Sequence, residues 1–200
     1  MITILGAGGF AKEVLALLKF NNSSIFEYRM VVEPFGNYMT DRFYYMGVGD
    51  PYLRYKFYNH FRAKHSNFNP LISNDLICDD ETVSFGEGTI VCQNCVITTD
   101  VQVGKFSIIN ISSTVGHDAR IGDFVTIAPA CNILGFAEVG DFTELGANVT
   151  VLPKVRIGKH CMIGAGTLVT KDVPDYSLVY GVPGKVIKEY RKDKRYESTN

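Results

Sequence analysis

The chain has 200 residues, room for one large domain or two small ones. It is 46% hydrophobic and 20% charged with a formal net charge of −1, so composition makes no electrostatic case for nucleic acid as a partner. The first residues, MITILGAGG, lack the basic stretch of a secretory leader, and no apolar run reaches the roughly 20 residues a bilayer crossing needs. Five cysteines without disulfide-scaffold spacing suit a reducing compartment, so a cytoplasmic protein with no membrane partner is expected.

In chain order, the first predicted element is an apolar strand over 2–5, followed by Gly6-Ala7-Gly8-Gly9. A helix follows over about 10–20, with Phe10, Val14, Leu17 and Leu18 on one face. Strands are predicted over 26–32 and 43–48. A second helix then begins at Asp50-Pro51, a good N-cap and a good first helical residue, with Leu53, Phe57 and Phe61 as its apolar stripe. Strand–helix–strand–strand–helix is the order of a small Rossmann-like α/β unit over 1–68, and Asn69-Pro70 marks its C-terminal boundary. The glycine-rich turn either brings backbone N–H groups to a phosphate at a helix N-terminus or is simply a tight turn. Glu33 either meets a ribose hydroxyl or is a solvated loop residue. The unit is short for a dinucleotide fold, which favours a nucleotide-linked sugar over NAD. Gly8, Gly9, Phe10, Glu33 and Gly49 are its candidate substrate contacts.

From Val103 to Val169 every sixth residue is a branched aliphatic, and four places after each, from Ser107 to Val173, the residue is small or β-branched. The frame extends back through Ile97, Val91 and Phe85 with no insertion. A period of six fits neither a helix nor a plain strand. It fits a short strand and a corner repeated around a triangular prism, with 18 residues per coil and the aliphatics inside. Glycine follows the aliphatic at Gly104, Gly116, Gly122, Gly140, Gly146, Gly158 and Gly164, where it is expected to ease tight turning. Residues 69–187 are therefore expected to form a parallel β-helix; the hexapeptide signature is that of the left-handed kind, the hand coming from the resemblance rather than from the spacing. Cys131 and Cys161 occupy small inward slots and read as core. Cys92 and Cys95 form a lone C-x-x-C without a second pair or nearby histidines, so no metal is expected. The polar segment 188–200 is expected to be a short helix that frays.

Three motifs carry a family resemblance: GAGGFAKEV at 6–14, NISSTVGHDARIGDF at 110–124 and GVPGKVIK at 181–188. With them the chain resembles the bacterial sugar-nucleotide N-acetyltransferases of amino-sugar biosynthesis. These act on nucleotide-linked 4-amino-4,6-dideoxy sugars and are similar to the sialic acid O-acetyltransferases. The resemblance implies a homotrimer with acetyl-CoA, as co-substrate, in the cleft between adjacent β-helices; without a placed cysteine or serine, direct transfer in a ternary complex is expected.

His117, two places after the inward Val115, belongs to an outward corner, and with Asp118 it matches the family's catalytic dyad. An amine attacking a thioester must lose a proton, imidazole titrates near neutral pH, and a carboxylate fixes its tautomer. Gly135 lies 18 residues on, one coil away, and should stack beside His117 at about the 4.8 Å strand spacing. The resemblance implies that its N–H stabilises the oxyanion. By the same resemblance Asn110 stands near the reacting group, although it also reads as a corner polar residue. Gly164, Ala165 and Gly166 would let the pantetheine arm approach, and Gly181 and Lys185 would reach the nucleotide end of CoA. Thr126 stands where many relatives carry a second histidine associated with CoA or the dyad, and Phe10 where some carry one beside the sugar. Phe10 then means altered sugar contacts or core packing. A γ-type carbonic anhydrase, the rival enzyme on this fold, needs three metal-binding histidines; the repeat has only His117 and His160, two coils plus seven residues apart. O-acetylation of a sialic acid and a non-catalytic nucleotide-binding role compete with N-acetylation as readings of the same residues.

Overall fold

A computed structural model describes residues 2–22, 28–31, 43–62 and 68–189. Strands β1 (Ile2–Leu5), β2 (Tyr28–Val31) and β3 (Phe43–Met46) form a parallel sheet in the order β2-β1-β3, with helix α1 (Gly9–Asn21) after β1 and helix α2 (Pro51–Phe61) after β3. α1 buries Ala11, Val14, Leu17 and Leu18, while Phe10 stays half-buried at its mouth. α2 starts where the sequence places it: the Asp50 carboxylate accepts from the Leu53 amide at 2.7 Å and Pro51 opens the first turn. Its inner stripe is corrected, however. Pro51, Arg54, Phe57 and Phe61 are buried, and Leu53 is 46% exposed.

From Leu71 onward the chain winds as a parallel solenoid of two-residue strands stacked into three faces. The first face runs from Leu71–Ile72 to the terminal hairpin, the second from Ile77–Cys78 to Leu168–Val169, and the third from Ser84–Phe85 to Arg156–Ile157. Partners are 18 residues apart, as in Ile109↔Ile127, Val115↔Ile133 and Ile121↔Val139. The first coil carries one extra residue between Cys78 and Ser84, because Ile77 pairs with Val96 but Ser84 with Gln102. Every aliphatic of the frame from Val103 to Val169 is at most 4% exposed, and every small partner from Ser107 to Val173 at most 6%. Each buried aliphatic contributes about 1.5–3 kcal/mol. Four buried hydroxyls donate to corner carbonyls of the next coil, as Ser107 does to Gly122 at 2.7 Å and Thr143 to Gly158 at 2.8 Å, whereas those of Thr167 and Ser177 have no partner among the described residues.

The glycines have a different role from the expected one. The left-handed residue of each corner lies three places after the aliphatic: Phe106, Ser112, Asp118, Phe124, Ala130 and Phe136 have φ of 52 to 61°. The glycines directly after the aliphatics turn no corner; they let coils stack. A Cβ on Gly140 would stand 2.7 Å from the backbone of Gly158 and Lys159. Gly140→Ala is therefore expected to cost about 1–3 kcal/mol, the scale of overpacking against groups that cannot yield, read from the midpoint of denaturant unfolding. A change within error would refute the stacking role.

The N-terminal unit rests on the first face and on the edge between the third and first faces. That edge carries a stacked ladder of Phe106, Phe124, Phe142, His160 and Tyr176, with neighbouring centroids 4.8–5.3 Å apart. From α2, Tyr58 packs on Phe106, Tyr55 on Phe124 and Tyr52 on Phe142, and the Tyr52 hydroxyl meets His160 Nδ1 at 2.7 Å. The hairpin Ser177–Tyr180 and Lys185–Glu189 closes the last coil. Lys188 and Glu189 are thus strand rather than the expected helix, and the rest of the tail lies outside the described residues.

Candidate active site

His117 leaves the edge between the second and third faces, since it follows strand Thr114–Val115 and precedes Arg120–Ile121. Its neighbour Asp118 holds the left-handed corner at φ 59°. There the Asp118 carboxylate faces back, 2.9 Å from His117 Nδ1, with the two side chains 55% and 41% exposed. With a carboxylate as acceptor Nδ1 is the donor, which leaves the Nε2 lone pair for a proton. The ring lies over Gly135, where a Cβ would stand 2.6 Å from Nε2. Phe136 meets the imidazole edge-on at 5.1 Å, and the Lys154 ammonium stands over that phenyl ring, 5.9 Å from its centroid. The coil period thus brings His117, Asp118 and Gly135 together as expected. Gly135 accepts a bond from the Lys154 amide at 3.0 Å, but among the described residues its own N–H has no acceptor. The comparable amides of Lys105, Asp123 and Lys159 on another edge are each capped by an aspartate carboxylate.

Gly8, Gly9, Phe10 and Gly49 are brought together around a cavity of about 550 Å³, shared with Val48, Asp50, Leu53 and Lys56. Gly8 caps α1 with no side-chain bond and no acidic residue occupies the first turn, so the helix presents unneutralised amides there. Glu33 lies outside the described residues. The cavity belongs to the first-face side of the chain, across the prism from His117.

Asn110 does not join the dyad within one chain. It sits between the first and second faces, where its side-chain oxygen accepts from the Ile111 amide at 2.7 Å. Ala165 and Gly166 are exposed on that same edge three coils on, and Gly181 and Lys185 are exposed in the closing hairpin beside it. Gly164 offers no open approach, because Tyr180 lays its ring over the bare Cα. Thr126 also departs from expectation: its hydroxyl donates to the Gly49 carbonyl at 2.7 Å, on the N-terminal unit. Cys92 packs with α1 and Cys95 inside the solenoid, so the two thiols serve different cores. Burial raises them to about 12 and about 11. Among the described residues no three His, Cys, Asp or Glu side chains gather as a metal site.

Sequence reasoning missed Arg54. It is fully buried, and its guanidinium donates to the carbonyls of Phe106, Val48, Gly49, Phe124 and Val125 and to the Thr126 hydroxyl, at 2.7–3.2 Å. Burial lowers its pKa to about 9, opposed by the charges of Glu144 and Asp50, so it stays a cation at neutral pH. The signal that could have found it was helical spacing: positions 54, 57 and 61 share a face.

Residues 136–171 match the family model described as bacterial transferase hexapeptide (six repeats). No curated protein sequence matches the chain. Among solved structures, PerB from Caulobacter crescentus in complex with CoA and GDP-perosamine is 28% identical with a TM-score of 0.85, over 94% of this chain and 97% of that one. The acetyltransferase domain of PglB from Neisseria gonorrhoeae in complex with acetyl coenzyme A is 22% identical with a TM-score of 0.86, over 93% and 98%. WeeI from Acinetobacter baumannii is 24% identical with a TM-score of 0.85, over 94% and 99%. The last two speak for the fold. The expected resemblance to sugar N-acetyltransferases is borne out.

Proposed function

We propose that this chain is an acetyl-CoA-dependent transferase that N-acetylates an amino group on a nucleotide-linked sugar, with His117 as general base. The observation that carries the reading is His117 Nε2 stacked over Gly135, whose amide has no acceptor among the described residues, in a chain 28% identical to PerB, whose structure is in complex with CoA and GDP-perosamine. In this mechanism the sugar amine attacks the thioester carbonyl carbon as Nε2 takes its proton. Asp118 supports the imidazolium through Nδ1, and the Gly135 N–H stabilises the oxyanion. Collapse breaks the C–S bond, and the proton held on the imidazole goes to the departing CoA sulfur. Residues 1–68, read as a Rossmann-like unit, hold the nucleotide sugar, while 69–187, wound left-handed, carry the transfer; the setting is the cytoplasm. Among the described residues no helix is long and apolar enough to cross a membrane.

A homotrimer completes the site. The third face presents Gln102, Arg120, Glu138 and Arg156 to solvent, and the N-terminal unit covers much of the first. The second face instead presents Val96, Thr114, Asn132, Thr150 and Leu168, none of them charged. His117 and Asn110 lie at opposite edges of that face, so closing copies on it brings the dyad of one to the Asn110 edge of the next. Light scattering is expected to give three times the chain mass, and a stable monomer would leave half the CoA cleft missing. The activity is tested by thiol release from acetyl-CoA with a panel of UDP-, GDP- and dTDP-linked 4-amino sugars and with sialic acids. Acceptance of an amino sugar supports the reading; release with sialic acid alone would replace N- by O-acetylation.

A further inference from the structure

Thr126 points outward from the first face and meets the N-terminal unit instead of a ligand. A hydroxyl has one proton to donate, and Thr126 spends it on the Gly49 carbonyl at 2.7 Å while accepting from Arg54 Nη2 at 3.0 Å. Arg54 Nη1 reaches the same Gly49 carbonyl at 2.9 Å and that of Val48 at 2.7 Å. Thus one donor from the solenoid and one from α2 hold a single carbonyl.

The two ends of segment 47–49, which lines the cavity, are secured in different ways. Gly47 is wedged, since a Cβ there would lie 2.7 Å from Ala11 Cα. At Gly49 an added Cβ would meet nothing within 4 Å. Packing and the Gly47 amide's bond to the Leu5 carbonyl at 2.8 Å fix the first position; at the second, side-chain donors hold the carbonyl. Asp50, next in the chain, caps α2, so an unheld Gly49 would also loosen the entry to that helix.

We propose that Thr126 is a positioning residue for the nucleotide sugar: its hydroxyl, with Arg54, anchors Gly49 and so sets the cavity wall relative to the solenoid. This rests on reading that cavity as the sugar-nucleotide site. The cofactor receives no donor from Thr126, because the proton is already committed.

Calorimetric titration tests it, with UDP, GDP and dTDP as separate probes and acetyl-CoA as the control, on the native chain, Thr126→Val and Thr126→Ser. The native chain is expected to bind one nucleotide. Thr126→Val weakens that binding about tenfold, the scale of losing one buried hydrogen bond, and leaves acetyl-CoA affinity within about twofold; Thr126→Ser restores nucleotide affinity. In turnover, the KM for the sugar rises more than kcat falls. Should valine prevent folding, Thr126→Ala repeats the test without placing a methyl group against the carbonyl. Equal nucleotide binding by native and hydroxyl-free chains, or a loss confined to acetyl-CoA, overturns the proposal alone. Absence of nucleotide binding by the native chain overturns the cavity reading and the proposal with it.

Discussion

His117→Ala is expected to lower turnover by at least roughly 10²-fold, the usual scale for losing a general base, with oligomeric state and melting temperature unchanged. The geometry separates the two effects. In one chain the imidazole is more than half exposed, and its contacts among the described residues are Asp118, the bare Cα of Gly135 and Phe136. Removing it opens no buried cavity and strands no buried partner, since Asp118 is itself open to solvent. In the proposed mechanism the amine, however, loses its proton acceptor. Neither Cys131 nor Cys161, both buried in the solenoid interior, can substitute as a nucleophile. Steady-state kinetics alongside light scattering would check it, and undiminished turnover would remove the proposed mechanism.

The largest expected effect on stability comes from Arg54→Met, at about 3–5 kcal/mol, the scale of breaking a buried, hydrogen-bonded charge. Exchanging a buried ion pair for apolar side chains can be harmless when both partners are replaced. Here most acceptors are main-chain carbonyls, those of Val48, Gly49, Phe106, Phe124 and Val125, which no side-chain change removes. Methionine fills the space and satisfies none of them. For a chain of this length the melting temperature should fall on the order of 10 °C. Hydrogen exchange should locate the loss first in α2 and its sheet, with the coils beyond Leu145 still protected. A fall of only a degree or two would mean that water replaces the guanidinium, and that the N-terminal unit is held mainly by Tyr52, Tyr55 and Tyr58.

What was legible in the sequence is what repeats. The solenoid interior admits one aliphatic and one small side chain per corner, so the spacing from Val103 to Val173 announces it. The hexad frame stops at Phe85 because one extra residue between Cys78 and Ser84 breaks the count. Glycine was misassigned because its constraint is long-range: Gly140 must clear Gly158 on the next coil, while the strained backbone falls to Phe106, Asp118 and their equivalents. The pair His117–Gly135 was legible by the same 18-residue arithmetic. So, in principle, was the separation of Asn110, because seven residues is one hexad plus one and leads to a different edge. Arg54 was overlooked because an apolar stripe is sought among apolar residues, and four of its six acceptors lie 52 to 72 positions away. Tyr180 over Gly164 follows from a shortened last coil, in which Met162 pairs with Leu178, and no hexad count foretells it.

The triangular winding makes the molecule a rotary counter. Splicing in six residues anywhere downstream of the dyad would swing everything beyond by a third of a revolution, and splicing in eighteen would return it to its starting azimuth one storey higher. Between His117 and Gly135 neither edit is tolerable under the proposed mechanism, which needs consecutive storeys. Past that point the column can be lengthened by whole storeys with the chemical edge left intact, so the distance from thioester to closing hairpin is an adjustable length that evolution or an engineer can match to the reach of the acyl carrier.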